Sequence, residues 1–118
     1  MQLTLLSSAD DIYRFECAGE ITQTALIGDH NPLERMLGAG GYKCKVLISL
    51  AKADYTDSAG VGWFITCHKK FRDVGGMMVL HSIPPMVSHI FQLLQMQTVL
   101  HLASDEQAAL AKVQGERP

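Results

Sequence analysis

The chain has 118 residues, 47% hydrophobic and 19% charged, and ten Lys and Arg against twelve Asp and Glu give a formal net charge of −2. At this size folding buries roughly two-thirds of the surface an unfolded chain exposes, enough for one core in one domain. That excludes a multi-domain enzyme, and a near-neutral balance with no basic cluster beyond Lys69, Lys70 and Arg72 excludes broad electrostatic binding to nucleic acid.

Residues 2–6 and 12–18 are rich in β-formers and are separated by Ser7-Ser8-Ala9-Asp10-Asp11, which predicts two strands joined by a turn. In the second strand Ile12, Arg14 and Glu16 alternate with Tyr13, Phe15 and Cys17, so one face is buried, and Gly19-Glu20 closes it. Between residues 21 and 41 the clearest signal is Asn31 before Pro32, an N-cap with proline at the first helical position. It predicts a short helix through Leu37 that stops at Gly38. The run Val46-Leu47-Ile48 within residues 45–50 predicts a central strand covered on both faces.

Two amphipathic helices follow. At about 100° per residue, Gly60, Val61, Phe64, Cys67, His68 and Phe71 share one arc of a helix over residues 58–73. After the turn Gly75-Gly76, Val79-Leu80 reads as a strand. Ile83, Met86, Val87, Ile90, Leu93 and Leu94 then form the apolar arc of a helix opened by Pro84-Pro85. Trp63 and Phe91 fall about 100° from their helices' core centres, the position of half-buried flanking aromatics. Residues 99–102 read as a short last strand, and Ser104 with Gln107 as the capping box of a helix over residues 105–113. The order predicts an α/β domain over residues 1–114 with a frayed tail at 115–118: a mixed sheet of four or five strands, an N-terminal hairpin followed by largely parallel strands, with helices mainly on one face.

Cys17, Cys44 and Cys67 are scattered and odd in number, as reduced core thiols are. Residues 1–9 lack a basic leader, and no run approaches the roughly eighteen apolar residues of a membrane span, so a cytoplasmic protein is expected. His68 lies in the apolar arc, where a buried neutral imidazole is the simplest reading. His30, His81, His89 and His101 have no metal-site spacing, so neither metal nor cofactor is expected.

The informative segment runs from the central strand into the long helix. Asp57 is placed to cap that helix, and Ser58 then sits in its first turn beside unpaired N–H groups and the positive end of the dipole. A phosphate there would add a charge of roughly −1.5 to −2 where a helix tolerates it, although capping is the commoner use of such residues. Gly60 and Gly62 point to close backbone approach, by the sheet on the inner side and by a partner on the outer. Other chemistries fit less well. Thr56 stands where a nucleophile elbow needs glycine, Ala59 interrupts an Asp-Ser-Gly protease signature, and Gly60-Val61-Gly62 lacks the third glycine of a dinucleotide loop. Asp10-Asp11 precede the strand after which a receiver domain would hold its acidic pair.

The combination of Val46-Leu47-Ile48-x-Leu50, Asp57-Ser58-x-Gly60, Gly75-Gly76, Val79-Leu80 and a second amphipathic helix resembles the STAS domain of bacterial anti-sigma-factor antagonists, over about residues 12–110 and including Gly19-Glu20. The resemblance implies a non-enzymatic, phosphorylation-switched binding domain. Its serine, here Ser58, is phosphorylated by an ATP-binding serine kinase that is also the anti-sigma factor, and a serine phosphatase resets it. Thr56, Asp57 and Gly60 would form the phosphorylation loop and cap, and Gly19, Glu20, Thr22, Asp54, Gly62 and Trp63 the partner surface. The chain departs from the family's usual pattern at Thr22 and Ser49, both commonly Asp. A competing reading is a non-phosphorylated STAS-type accessory or scaffold subunit of a signalling or transporter complex, with Ser58 only part of the helix cap.

Overall fold

A computed structural model of the chain describes residues 1–22, 32–38 and 41–115. Strand β1 (Gln2–Ala9) forms an antiparallel hairpin with β2 (Ile12–Ile21). The expected five-residue turn is shorter: Ser7, Ser8 and Ala9 belong to β1, and the chain reverses through Asp10 (φ 55°) and Asp11 (φ 63°) alone. Two left-handed residues in a two-residue loop match the twist of a hairpin, and Asp tolerates that conformation. One extra residue, Leu6, bulges between Leu5 and Ser7.

Helix α1 (Pro32–Leu37) is the short helix expected before Gly38, while its proposed cap Asn31 lies outside the described residues, as do 116–118 of the expected tail. Strand β3 (Lys45–Ser49) is the central, doubly covered strand, with Val46, Leu47 and Ile48 all fully buried. It is followed by β4 (Ala53–Thr56), α2 (Ser58–Asp73), β5 (Met77–His81), α3 (Pro85–Leu93), a 3-10 turn (Met96–Thr98), β6 (His101–Ala103) and α4 (Glu106–Val113). Among the described residues the sheet has six strands, one more than the upper expectation. The main path is β1-β2-β3-β5-β6, with every pair after the hairpin parallel, and β4 joins β2 off that path. The added strand is possible because β2 does not end at Gly19-Glu20. It pairs with β3 through Glu16, shifts register at Gly19 (φ +82°), and then pairs Gly19, Glu20 and Ile21 with Ala53, Tyr55 and Thr56.

The main core lies on one face, where Phe15, Cys17, Val46, Ile48, Met78 and Leu80 meet α1, α2 and α3. On the other face, among the described residues, α4 covers Ile12, Leu47 and Val79 with Ala109 and Val113. The buried face of α2 is the arc read from the sequence, Gly60, Val61, Phe64, Cys67, His68 and Phe71. The expectation for α3 needs correction. The helix buries Val87 and Phe91, one turn apart, and Phe91 meets Phe64 edge-on at 6.2 Å between ring centroids. Met86 and Leu93, assigned to the core, are 58% and 68% exposed. The helix rests on its flanking aromatic, because one large ring inserted against α2 buries more area than several smaller chains at the sheet edge. Likewise β6 begins at His101 rather than residue 99, and Asp105, not Ser104, caps α4, its Oδ1 accepting from the Ala108 N–H at 2.8 Å.

Burial holds the thiols of Cys17 and Cys44 up at about 12 and about 11, so both remain protonated at neutral pH; all three cysteines are buried and none is in a disulfide. Three histidines are shifted the other way. His68 on α2 stacks edge-on against His101 on β6, with ring centroids 5.2 Å apart. Burial lowers the pKa of His68, helped by His101 and Arg72; burial lowers that of His101, helped by Lys112. His81, whose Nδ1 lies 2.8 Å from the Ser82 hydroxyl, is lowered by burial against the opposing pull of Glu106 and Asp105. Folded values below the unfolded 6.5 mean that the unfolded chain binds protons first as pH falls. The contribution of these histidines is therefore fully present above pH 6.5 and declines as pH falls toward their lowered folded values. Urea midpoints should fall between pH 7 and about pH 5, and His68→Phe should flatten that slope; a slope unchanged by the substitution would show that the pair does not carry it.

Candidate functional site

The junction of β2, β4 and α2 gathers most of the residues singled out by sequence, and the Ile21 carbonyl organises it. The Thr56 hydroxyl, fully buried, donates to that oxygen at 2.9 Å, and the Asp57 N–H donates to it at 3.4 Å. Gly19 N–H donates to the Lys52 carbonyl at 3.0 Å, closing the other end of the β2-β4 pairing. Gly60 completes the packing. A Cβ at this position would lie 2.0 Å from the Ile21 oxygen and 2.3 Å from the Thr56 hydroxyl, so the first turn of α2 can rest on β2 only through a residue without a side chain.

Asp57 caps α2 as expected. Its backbone is extended (φ −107°, ψ −176°) and Oδ1 accepts from the Gly60 N–H at 2.9 Å, satisfying one of the first-turn donors. Ser58 is the first helical residue and its side chain is exposed. The two neighbouring hydroxyls thus differ in role. That of Thr56 is a buried clamp between strands, and that of Ser58 stands in solvent at the positive end of a 16-residue helix.

The pairing register brings Glu20 beside Tyr55, so Glu20 and Asp54, both exposed, flank the same end of the molecule as Ser58. Gly19, in β2, and Thr22, in the bend just past its end, are both half-buried. Gly62 is one turn beyond Ser58 on the outward side of α2, with nothing within 4 Å of a Cβ placed there. Trp63 stands apart, on the flank of α2, half-buried and tilted against Phe64 at 5.0 Å. Ser49, the other departure from the usual pattern, accepts a hydrogen bond from the Ala51 N–H at 3.3 Å and so shapes the turn into β4.

Sequence reasoning missed β4 and with it Tyr55, 40% exposed beside Glu20. The Tyr-Thr pair in a four-residue stretch was the available signal, masked by Asp54 and by the strand's brevity. Among the described residues no cluster of three or more His, Cys, Asp or Glu could hold a metal ion, and no helix is long and apolar enough to cross a membrane. The arrangement is a firmly tied loop that holds the Thr56 hydroxyl inside and leaves Ser58 exposed at the start of α2.

Comparison with known proteins bears on the fold and the family. The STAS domain family model matches residues 8–109. BtrV of Bordetella bronchiseptica, assigned as an anti-sigma factor antagonist, is 30% identical over 67 residues, a match spanning 57% of this chain and 58% of BtrV. Among solved structures, a Thermotoga maritima protein with the same assignment superposes with a TM-score of 0.76 at 16% identity, covering 92% of each chain. SpoIIAA in its unphosphorylated form superposes with a TM-score of 0.71 at 18% identity over 99% of this chain and 100% of that one. The phosphorylated form of Bacillus SpoIIAA gives 0.66 at 18% identity over 95% and 99%. Sheet order, helix placement and the family match agree, and the chain belongs to the STAS domain family.

Proposed function

We propose that this protein is an anti-sigma-factor antagonist switched by phosphorylation of Ser58: unphosphorylated, it binds an ATP-dependent anti-sigma factor kinase, and phosphorylated, it releases it. The observation that carries this reading is the exposure of Ser58 at the start of a helix whose neighbouring hydroxyl, Thr56, is buried and committed to Ile21. The relatives support it, since BtrV is assigned as an antagonist and SpoIIAA occurs in unphosphorylated and phosphorylated forms. The capped helix accommodates an added phosphate at its N-terminus without refolding, so the modification acts on the surface seen by a partner. Glu20 and Asp54 already make that end acidic, and a phosphate adds about two further negative charges against any partner surface built for the neutral loop. Gly19, Thr22, Gly62 and Trp63 complete the contact surface, and a serine phosphatase reverses the switch in the bacterial cytoplasm. The role is binding, without catalysis by this chain.

Incubation with the cognate kinase and ATP, followed by mass spectrometry, should place one phosphate on Ser58. Ser58→Ala should keep partner binding and resist release, while Ser58→Asp should weaken binding by about tenfold or more. Phosphate on Ser82 in place of Ser58, or equal binding by both variants, would refute the switch and leave the accessory-subunit reading.

A further inference from the structure

Strand β1 is an outer strand of the sheet, and among the described residues only β2 is hydrogen-bonded to it. Its sequence, Gln-Leu-Thr-Leu-Leu-Ser-Ser-Ala, holds no charge and no proline, and every residue but Leu3 is exposed, Leu5 by 38% and Leu6 by 53%. Edge strands are ordinarily blunted by brevity, by lysine or proline, by a covering element or by a bulge. The opposite edge, β6, is three residues long and half-buried. Over its eight residues β1 has, among the described residues, the bulge at Leu6 and a limited contact with α1.

We infer that β1 is a self-association edge, pairing antiparallel with β1 of a second copy about a two-fold axis. A row of free N–H and C=O groups calls for another strand, and a two-fold contact requires that strand to complement itself. β1 meets that condition. Full antiparallel overlap of residues 2–9 sets Gln2 opposite Ala9, Thr4 opposite Ser7 and Leu5 opposite Leu6 of the second copy. The two exposed leucines of each copy thus meet at the axis with small polar residues flanking them, and no like charges oppose. An eight-residue strand is about 27 Å long, and edge pairing over that length buries less than a standard interface of about 1,600 Å². The contact is therefore a weak, concentration-dependent dimer. It does not depend on the role proposed for Ser58.

Sedimentation velocity on the purified full chain from about 10 μM to about 1 mM should show monomer passing to dimer. Hydrogen exchange at residues 2–9 should slow with concentration. Leu6→Lys and Leu6→Glu, at an exposed position, should each weaken association by about tenfold or more, and an equimolar mixture of the two should restore it, which misfolded variants could not do. A wild-type chain that stays monomeric at about 1 mM overturns the inference. So does a dimer indifferent to both variants, or one that protects residues 101–103 instead of 2–9.

Discussion

Phe64→Ala should cost roughly 3–5 kcal/mol and lower the melting temperature by more than about 10 °C, whereas Trp63→Ala should cost well under half of that and weaken partner binding out of proportion to its stability loss. Phe64 is fully buried at the centre of the α2 arc, between the Trp63 ring at 5.0 Å and the Phe91 ring at 6.2 Å. Its removal leaves a cavity that two rings anchored on separate helices cannot both collapse into, so the loss includes a cavity cost beyond transfer. Trp63 lies on the helix flank, half-buried and next in sequence to Gly62. Melting curves and titrations with the proposed kinase partner, run in parallel on both variants, separate the two roles. Equal destabilisation, with unchanged binding by the folded fraction, would make Trp63 a core residue and move the partner surface elsewhere.

Gly60→Ala is expected to destabilise the fold by about 1–3 kcal/mol or more, despite alanine's better helix propensity, and to disturb the loop that presents Ser58. The added methyl would stand 2.0 Å from the Ile21 carbonyl oxygen, a backbone atom held by Thr56 and Asp57 and unable to move aside. Relief requires the first turn of α2 to lift from β2, which breaks the Thr56 clamp and alters the position of Ser58. Gly62→Ala serves as control: nothing lies within 4 Å of its new Cβ, so it should be neutral or slightly stabilising. Asp57→Ala should cost about 0.5–2 kcal/mol through loss of the Gly60 N–H partner, without displacing the strand pairing. A Gly60→Ala protein that melts with or above wild type would show that the close approach is not maintained in solution.

The sequence alone was sufficient where local periodicity and tertiary burial coincide. Helix α2, its six-residue core face, its Asp57 cap and the buried Val46-Leu47-Ile48 strand were all legible, because each depends on residues within a few positions of one another. The Asp-Ser-x-Gly spacing between them carried the family resemblance for the same reason. What remained was decided by contacts between distant segments. β4 is four residues with two exposed positions, and only its pairing with the far end of β2 makes it a strand; that pairing also carries β2 past Gly19-Glu20. Helix α3 turned its apolar-rich arc partly outward because Phe64, from another helix, offered Phe91 a larger burial than its own arc could provide. The difference between Thr56 and Ser58, two hydroxyls one residue apart from a shared neighbour, likewise arises from the Ile21 carbonyl, thirty-five residues away from Thr56 along the chain. Periodicity reports which side of an element is apolar, but which hydroxyl is buried and which strand finds a neighbour depends on the surface that the rest of the fold brings to it.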